Sequence, residues 1–185
     1  MFGAGVATDA YNVAFRIPNL VRDLFAEGAM SAAFVPTFTR YLSSAGRDAA
    51  WRLGNNVVNA LLLVTGALVL LGMVFAEPLV TALTAEGYAR DPGKLALTVL
   101  LARLMLPALA FIAVGAAAMG MLNSLHHFFI PALSPAVFNI VTIACAITLV
   151  PLMATGGLAP ITAIAIGTLL GPVAHAAVPW PLLPA

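Results

Sequence analysis

Residues 53–76 read LGNNVVNALLLVTGALVLLGMVFA, 24 consecutive positions without Asp, Glu, Lys or Arg, bounded by Arg52 and Glu77. A helix needs about 20 mostly apolar residues to cross the hydrocarbon core of a bilayer, so this stretch predicts a spanning helix. The composition around it agrees. Of the 185 residues, 62% are hydrophobic and 8% are charged, and the mean hydropathy is +1.05. A soluble domain carries about 25% charged residues, so this chain has too few to coat a water-facing surface. It reads as all-α: a single membrane domain over 1–185, a polytopic transmembrane helix bundle.

After Arg103 the remaining 82 residues contain no Asp, Glu, Lys or Arg, far more than one crossing needs. Spans are expected at about 10–42, 53–76, 95–123, 128–153 and 158–178. The polar cluster Asn123, Ser124, His126, His127 and the Thr155-Gly156-Gly157 break supply turns. The loop charges orient them, because cytoplasmic loops are enriched in Lys and Arg. Arg40, Arg47 and Arg52 face only Asp48 in the first loop, whereas Glu77, Glu86 and Asp91 outnumber Arg90 and Lys94 in the second. The first loop is therefore assigned to the cytoplasm and the second to the outside.

Composition also excludes. Eight Lys+Arg against seven Asp+Glu give a formal charge of +1, with no cationic excess to drive counterion release from a polyanion, so no nucleic-acid partner is expected. The single Cys145 can form neither an internal disulfide nor a multi-thiolate metal site, and it reads as a small core hydrophobe. His126 and His127 are adjacent, with no carboxylate or thiol near them to complete a metal site; they read as a solvated turn. His175, in an apolar run, reads as a packed or hydrogen-bonded side chain. Gly115 and Gly120 are small residues that permit close helix approach. Arg103, about two turns into its span, is expected to snorkel outward along its own stem.

The segment 10–42 differs from the other spans. It is apolar on average and interrupted by Pro18, yet five of the fifteen charges, Asp9, Arg16, Arg22, Asp23 and Glu27, lie in it or just before it. At 100° per residue, Asp9, Arg16, Asp23 and Glu27 fall within about 40° of one another. One charged stripe on an otherwise apolar helix belongs against a protein interior or a watery cavity, since charges in hydrocarbon are costly. Arg22 lies roughly 140° from that stripe on a straight helix, but Pro18 is expected to kink the helix and reset its phase. Pro18, Asn19 and Pro36 are read as shaping the helix, and Asp23 as a structural charge.

The same segment carries a specific pattern: Gly3-Ala4-Gly5-Val6-Ala7-Thr8-Asp9, then Pro18-Asn19-Leu20-Val21-Arg22, then Phe25-Ala26-Glu27-Gly28-Ala29, then Ala33-Phe34-Val35-Pro36. This resembles the MviN/MurJ family, the lipid II flippases of bacterial peptidoglycan synthesis, in the second transmembrane helix and its approach. Asn123-Ser124 followed by Phe128-Phe129-Ile130-Pro131-Ala132, Pro135 and Asn139 is similar to the family's passage from its fourth helix to its fifth. The resemblance implies a partial N-lobe of a two-lobe exporter fold: the end of the first helix, helices two to five, and the apolar part of the sixth. Both ends look cut on this reading, and a second lobe, missing here, is expected in the full-length protein.

The resemblance further implies a multi-pass protein of the bacterial inner membrane that moves lipid II by alternating access. Its partners would be lipid II and membrane lipids, and it would be a transporter rather than an enzyme, with no cofactor and no metal. The family's cavity carboxylate matches Asp9, its helix-two arginine Arg22, and its Phe-Ala-Glu-Gly glutamate Glu27; Arg16 stands at a commonly basic position. Asp23 departs from the family, which often has a second arginine there. Lipid II carries a diphosphate, and a guanidinium presents a planar fork of donors that stays charged at physiological pH. Arg22 and Arg16 are thus expected to contact the diphosphate, and Asp9 and Glu27 to pair with those arginines or gate the cavity. Rival readings are export of another amphiphile or polyprenyl-linked glycan, an inactive truncated fragment, and a membrane enzyme acting on polyprenyl diphosphate. The enzyme would need a metal-binding carboxylate cluster, whereas Asp9, Asp23 and Glu27 are interleaved with arginines.

Overall fold

Proline, glycine and aspartate punctuate the apolar stretches and set where helices begin and end. The computed structural model describes residues 5–24, 30–85 and 87–183. Among the described residues there are eight α-helices: α1 (Val6–Leu24), α2 (Met30–Ser44), α3 (Arg47–Val74), α4 (Ala76–Leu83), α5 (Pro92–Met105), α6 (Ala108–Ser124), α7 (Phe129–Thr155) and α8 (Ile161–Ala177). Short 3₁₀ turns occur at Tyr88–Arg90 and Trp180–Leu182, and no strand is present among these residues. α3, α7 and the continuous pair α5–α6 (Pro92–Ser124, 33 residues) are long and apolar enough to cross a membrane.

Local chemistry accounts for several boundaries. α5 starts where Asp91 caps it, its carboxylate accepting from the Gly93 and Lys94 amides at 3.0 and 3.1 Å, with Pro92 in the first turn. This satisfies amides that a helix start leaves unpaired, and Pro loses nothing there. At Pro107, which lacks an amide proton and crowds the preceding turn, α5 passes into α6 through tighter bonds. Leu109 and Ala110 donate three residues back, to the Leu106 and Pro107 carbonyls, at 3.1 and 3.2 Å. α6 ends in a left-handed turn at His126 (φ 62°), where His127 donates to Leu122 at 2.9 Å and His126 to Asn123 at 3.1 Å. That double bond is the Schellman closure, usually built on glycine. The His126–His127 pair thus forms a turn.

The expected segment 10–42 holds α1 and α2, with residues 25–29 between them outside the described residues. α4, in the loop after the 53–76 stretch, is a helix that the hydropathy pattern does not single out.

α5–α6 forms the centre of the bundle, with 56% of its apolar window buried, while α7 lies at the edge with 6%. Two apolar cores form. One joins α1, α4, α5 and α8 with the end of α3 and the start of α6 through Ala10, Val69, Val80, Met105, Leu109 and Ala165. The other joins α2, α3 and α6 through Phe34, Phe38, Val58, Ala117 and Met121. Gly115 and Gly120 do permit close approach. A Cβ at Gly120 would lie 3.2 Å from the Phe34 ring, and one at Gly115 would lie 2.9 Å from His175 Nδ1. His175 of α8 is accordingly packed against α6, and its Nδ1 is buried with no hydrogen-bond partner among the described residues.

Candidate functional site

α1 is the most two-faced helix of the bundle. Ala10, Ala14, Ile17 and Pro18 are buried, while Asp9, Asn12, Arg16 and Leu20 are exposed. The exposed set recurs every three or four residues, which places it on one face. Along about 10 Å of helix, the rise between positions 9 and 16, this face presents a carboxylate, an amide and a guanidinium. The exposed faces of α3 and α7 instead present Leu63 (76% exposed), Val74, Ile140 and Ile147. Those apolar surfaces suit lipid, whereas the polar face of α1 does not.

At the start of α1, the Asp9 carboxylate forms an ion pair with Lys94 Nζ of α5. Lys94 also sits over the Tyr88 ring, 4.1 Å from its centroid. Tyr88 is held in turn: its hydroxyl lies 2.9 Å from Thr98 Oγ1, which donates to the Lys94 carbonyl at 2.8 Å, so the Tyr88 proton goes to Thr98. Lys94 occupies the first turn of α5, where the helix dipole disfavours a cation. Asp91 and Asp9 offset that disadvantage from two sides. Gly5, Thr8, Asp9, Asn12 and Lys94 together line a shallow cavity at this end of α1.

Deeper in the bundle, Tyr11 ties α1 to α8. Its hydroxyl is 2.8 Å from Thr168 Oγ1, and Thr168 itself donates to the Ile164 carbonyl at 2.9 Å, leaving Tyr11 as the donor. Tyr11 stacks on Phe15 with ring centroids 5.7 Å apart. These contacts fix the rotation of α1, and with it the direction of its polar face.

The four residues proposed from the sequence fare differently. Asp9 and Arg16 share the exposed face. Arg22 belongs to the last turn and a half of α1, but its side chain lies outside the described set, and Glu27 lies outside the described residues. Among the described residues the ion-pair partner of Asp9 is Lys94, a residue that the arginine pairing expected from the sequence did not include. Arg16 is two turns further along the same helix, about 10 Å by helical rise, whereas α5 packs beside the start of α1. Nothing local in the sequence links Lys94 to Asp9, 85 positions away, and its charge reads as that of a loop. The Asp91-Pro92-Gly93-Lys94 start signal was available to place it in a helical first turn. Among the described residues, no three His, Cys, Asp or Glu side chains are grouped to hold a metal ion.

Comparison with known proteins gives consistent relatives. A family model described as "Lipid II flippase MurJ" matches residues 1–184. The chain is 42% identical over 143 residues to a "Probable lipid II flippase MurJ" of Rhizobium meliloti, covering 77% of this chain and 26% of the relative. It is 39% identical over 150 residues to a "Lipid II flippase MurJ" of Burkholderia cenocepacia, covering 81% and 29% respectively. A solved structure titled "Lipid II flippase MurJ, inward closed conformation" superposes with a TM-score of 0.69 at 28% identity, over 96% of this chain and 37% of that one. The chain therefore spans between a quarter and two fifths of the length of these proteins.

Proposed function

The chain belongs to the MurJ family of lipid II flippases, and from that premise we propose that it forms the part of such a flippase whose α1 face receives the lipid II headgroup. It is a multi-pass protein of the bacterial inner membrane. The observation that carries the reading is the exposed polar face of α1, with Asp9, Asn12 and Arg16 in an otherwise apolar bundle.

Moving lipid II means carrying a diphosphate and a large polar headgroup past hydrocarbon. A guanidinium fork binds phosphate oxygens in pairs and does not lose its charge. Arg16 offers one such group, and Arg22, six positions and about 9 Å further along the helix, offers a second. The two would engage the diphosphate in turn or together as it moves along α1. Asp9 keeps Lys94 neutralised at one end of the path, which leaves Arg16 as the cation of that face among the described residues. Glu27, which lies outside the described residues, would pair with these arginines when substrate is absent or gate the cavity. Alternating access needs a second body to rock against, and the segments that the longer relatives possess would supply it.

In a full-length relative, Arg22→Ala is expected to abolish rescue of a flippase-depleted bacterium, and Arg22→Lys to restore only part of it, because a point charge does not replace the fork. Undiminished rescue by Arg22→Ala would remove Arg22 from the site. Export of a different polyprenyl-linked glycan uses the same diphosphate chemistry, so the substrate itself is read by supplying purified lipid II and following its movement across vesicles.

A further inference from the structure

α3 stops at Val74, and its last carbonyls lack intrahelical partners. One of them is taken up from another helix: Arg103 of α5 donates through Nε to the Met73 carbonyl at 3.1 Å. This anchors the guanidinium at the end of α3, while its two terminal amino groups have no protein partner among the described residues. Arg103 lies on the exposed side of α5 in line with Ala96 and Leu100. Glu77, in the first turn of α4, is exposed and makes no ion pair among the described residues.

Both charges line one cleft of 430 Å³, walled otherwise by Pro92, Leu95, Val99 and Leu100. That size is in the range of ligand sites. Its depth fits the membrane boundary. At 1.5 Å per residue, the 33 residues of α5–α6 extend about 50 Å. A hydrocarbon core of about 30 Å leaves roughly 10 Å beyond each face. Arg103 follows Pro92 by 11 positions, so its Cα sits about 6 Å beneath the boundary. A helical side chain leans toward its own N-terminus, which for α5 is the outward direction, and an arginine stem snorkels that way. The guanidinium thus arrives at headgroup level in the same cleft as a carboxylate that has no ion pair among the described residues, above an apolar wall.

We infer that this cleft binds the headgroup of a zwitterionic phospholipid with a primary ammonium, the phosphate on Arg103 and the ammonium on Glu77, with the acyl chains along Leu95, Val99 and Leu100. A phosphatidylglycerol headgroup would satisfy Arg103 through its phosphate but offers Glu77 only neutral hydroxyls and no cation. A choline headgroup carries the positive charge but has no N–H to donate.

The test uses the purified chain in maltoside micelles, titrated with phosphatidylethanolamine, phosphatidylcholine or phosphatidylglycerol of matched acyl chains and followed by thermal unfolding. Phosphatidylethanolamine is expected to raise Tm by about 5 °C near saturation, more than either other lipid. Glu77→Gln should reduce its shift to that of phosphatidylcholine, and Arg103→Lys, which keeps the charge but loses the fork, should shrink the shifts from all three. Each shift is read against the same variant without lipid, so a change in baseline stability cancels. An equal or larger shift from phosphatidylglycerol, no shift from any lipid, or an ethanolamine preference that survives Glu77→Gln overturns the proposal.

Discussion

Lys94→Glu in a full-length relative is expected to lower lipid II flipping on the order of tenfold or more, and the exchange Asp9→Lys with Lys94→Glu to recover part of it. The single change sets two carboxylates against each other where Asp9 and Lys94 now form an ion pair. It also removes the cation from the Tyr88 ring and loosens the start of α1 from α5. The exchange restores opposite charges at the same two positions but not the contact with Tyr88, so recovery is expected to be incomplete. Flipping rates in vesicles of the two singles and the double give the coupling. If the double is no better than the worse single, the pair is not what holds α1, and Asp9 acts through some other group.

Gly171→Leu is expected to destabilise the bundle by about 2–3 kcal/mol, the cost of forcing extra volume into a packed interface. α8 lies against α7 along Gly167 and Gly171, a Gly-x-x-x-Gly spacing that brings both glycines to one face and lets backbones approach. A Cβ at Gly171 would stand 2.7 Å from a Phe138 ring carbon and 3.0 Å from Thr142 Oγ1, and one at Gly167 would stand 3.2 Å from the Thr142 carbonyl oxygen. A ring in a packed interface and a backbone carbonyl yield far less readily than the end of a flexible chain. Gly66 of α3 provides the opposite case, since nothing lies within 4 Å of a Cβ built there. Gly66→Ala should therefore be neutral or stabilising by up to about 1 kcal/mol through the helix preference of alanine. Thermal unfolding of the two variants, followed by Trp51 and Trp180 fluorescence, should separate them by about 5 °C or more. Similar Tm values would mean that the α7–α8 contact contributes little to the fold.

Legibility from sequence varied with the range of the interaction. Membrane helices were readable from the uncharged runs, since bilayer thickness imposes a minimum length that composition reveals directly. The concentration of charge near Asp9 and Arg16 was readable for the same reason, because charge is rare elsewhere in the chain. Gly115 and Gly120 read as close-approach residues from their small neighbours, and the four-residue spacing of Gly167 and Gly171 carries the same signal. The contact of Arg103 with the Met73 carbonyl depends on where α3 stops, and no local pattern fixes that point. Lys94 was missed because its partner is set by the packing of α5 on α1. Tyr11 and Thr168 are 157 positions apart, and nothing in either neighbourhood announces the other.

The central claim is that the polar face of α1 lines a water-filled cavity rather than a lipid-facing or packed surface. Single cysteines introduced into a cysteine-free full-length relative at the positions matching Asn12→Cys and Arg16→Cys, with Leu63→Cys and Ala14→Cys as comparators, test it with a membrane-impermeant thiol reagent. A thiol in apolar surroundings keeps a raised pKa and stays unreactive, so the Asn12 and Arg16 positions are expected to label at least about tenfold faster than the other two. Labelling at those two positions no faster than at the Leu63 position would contradict the claim.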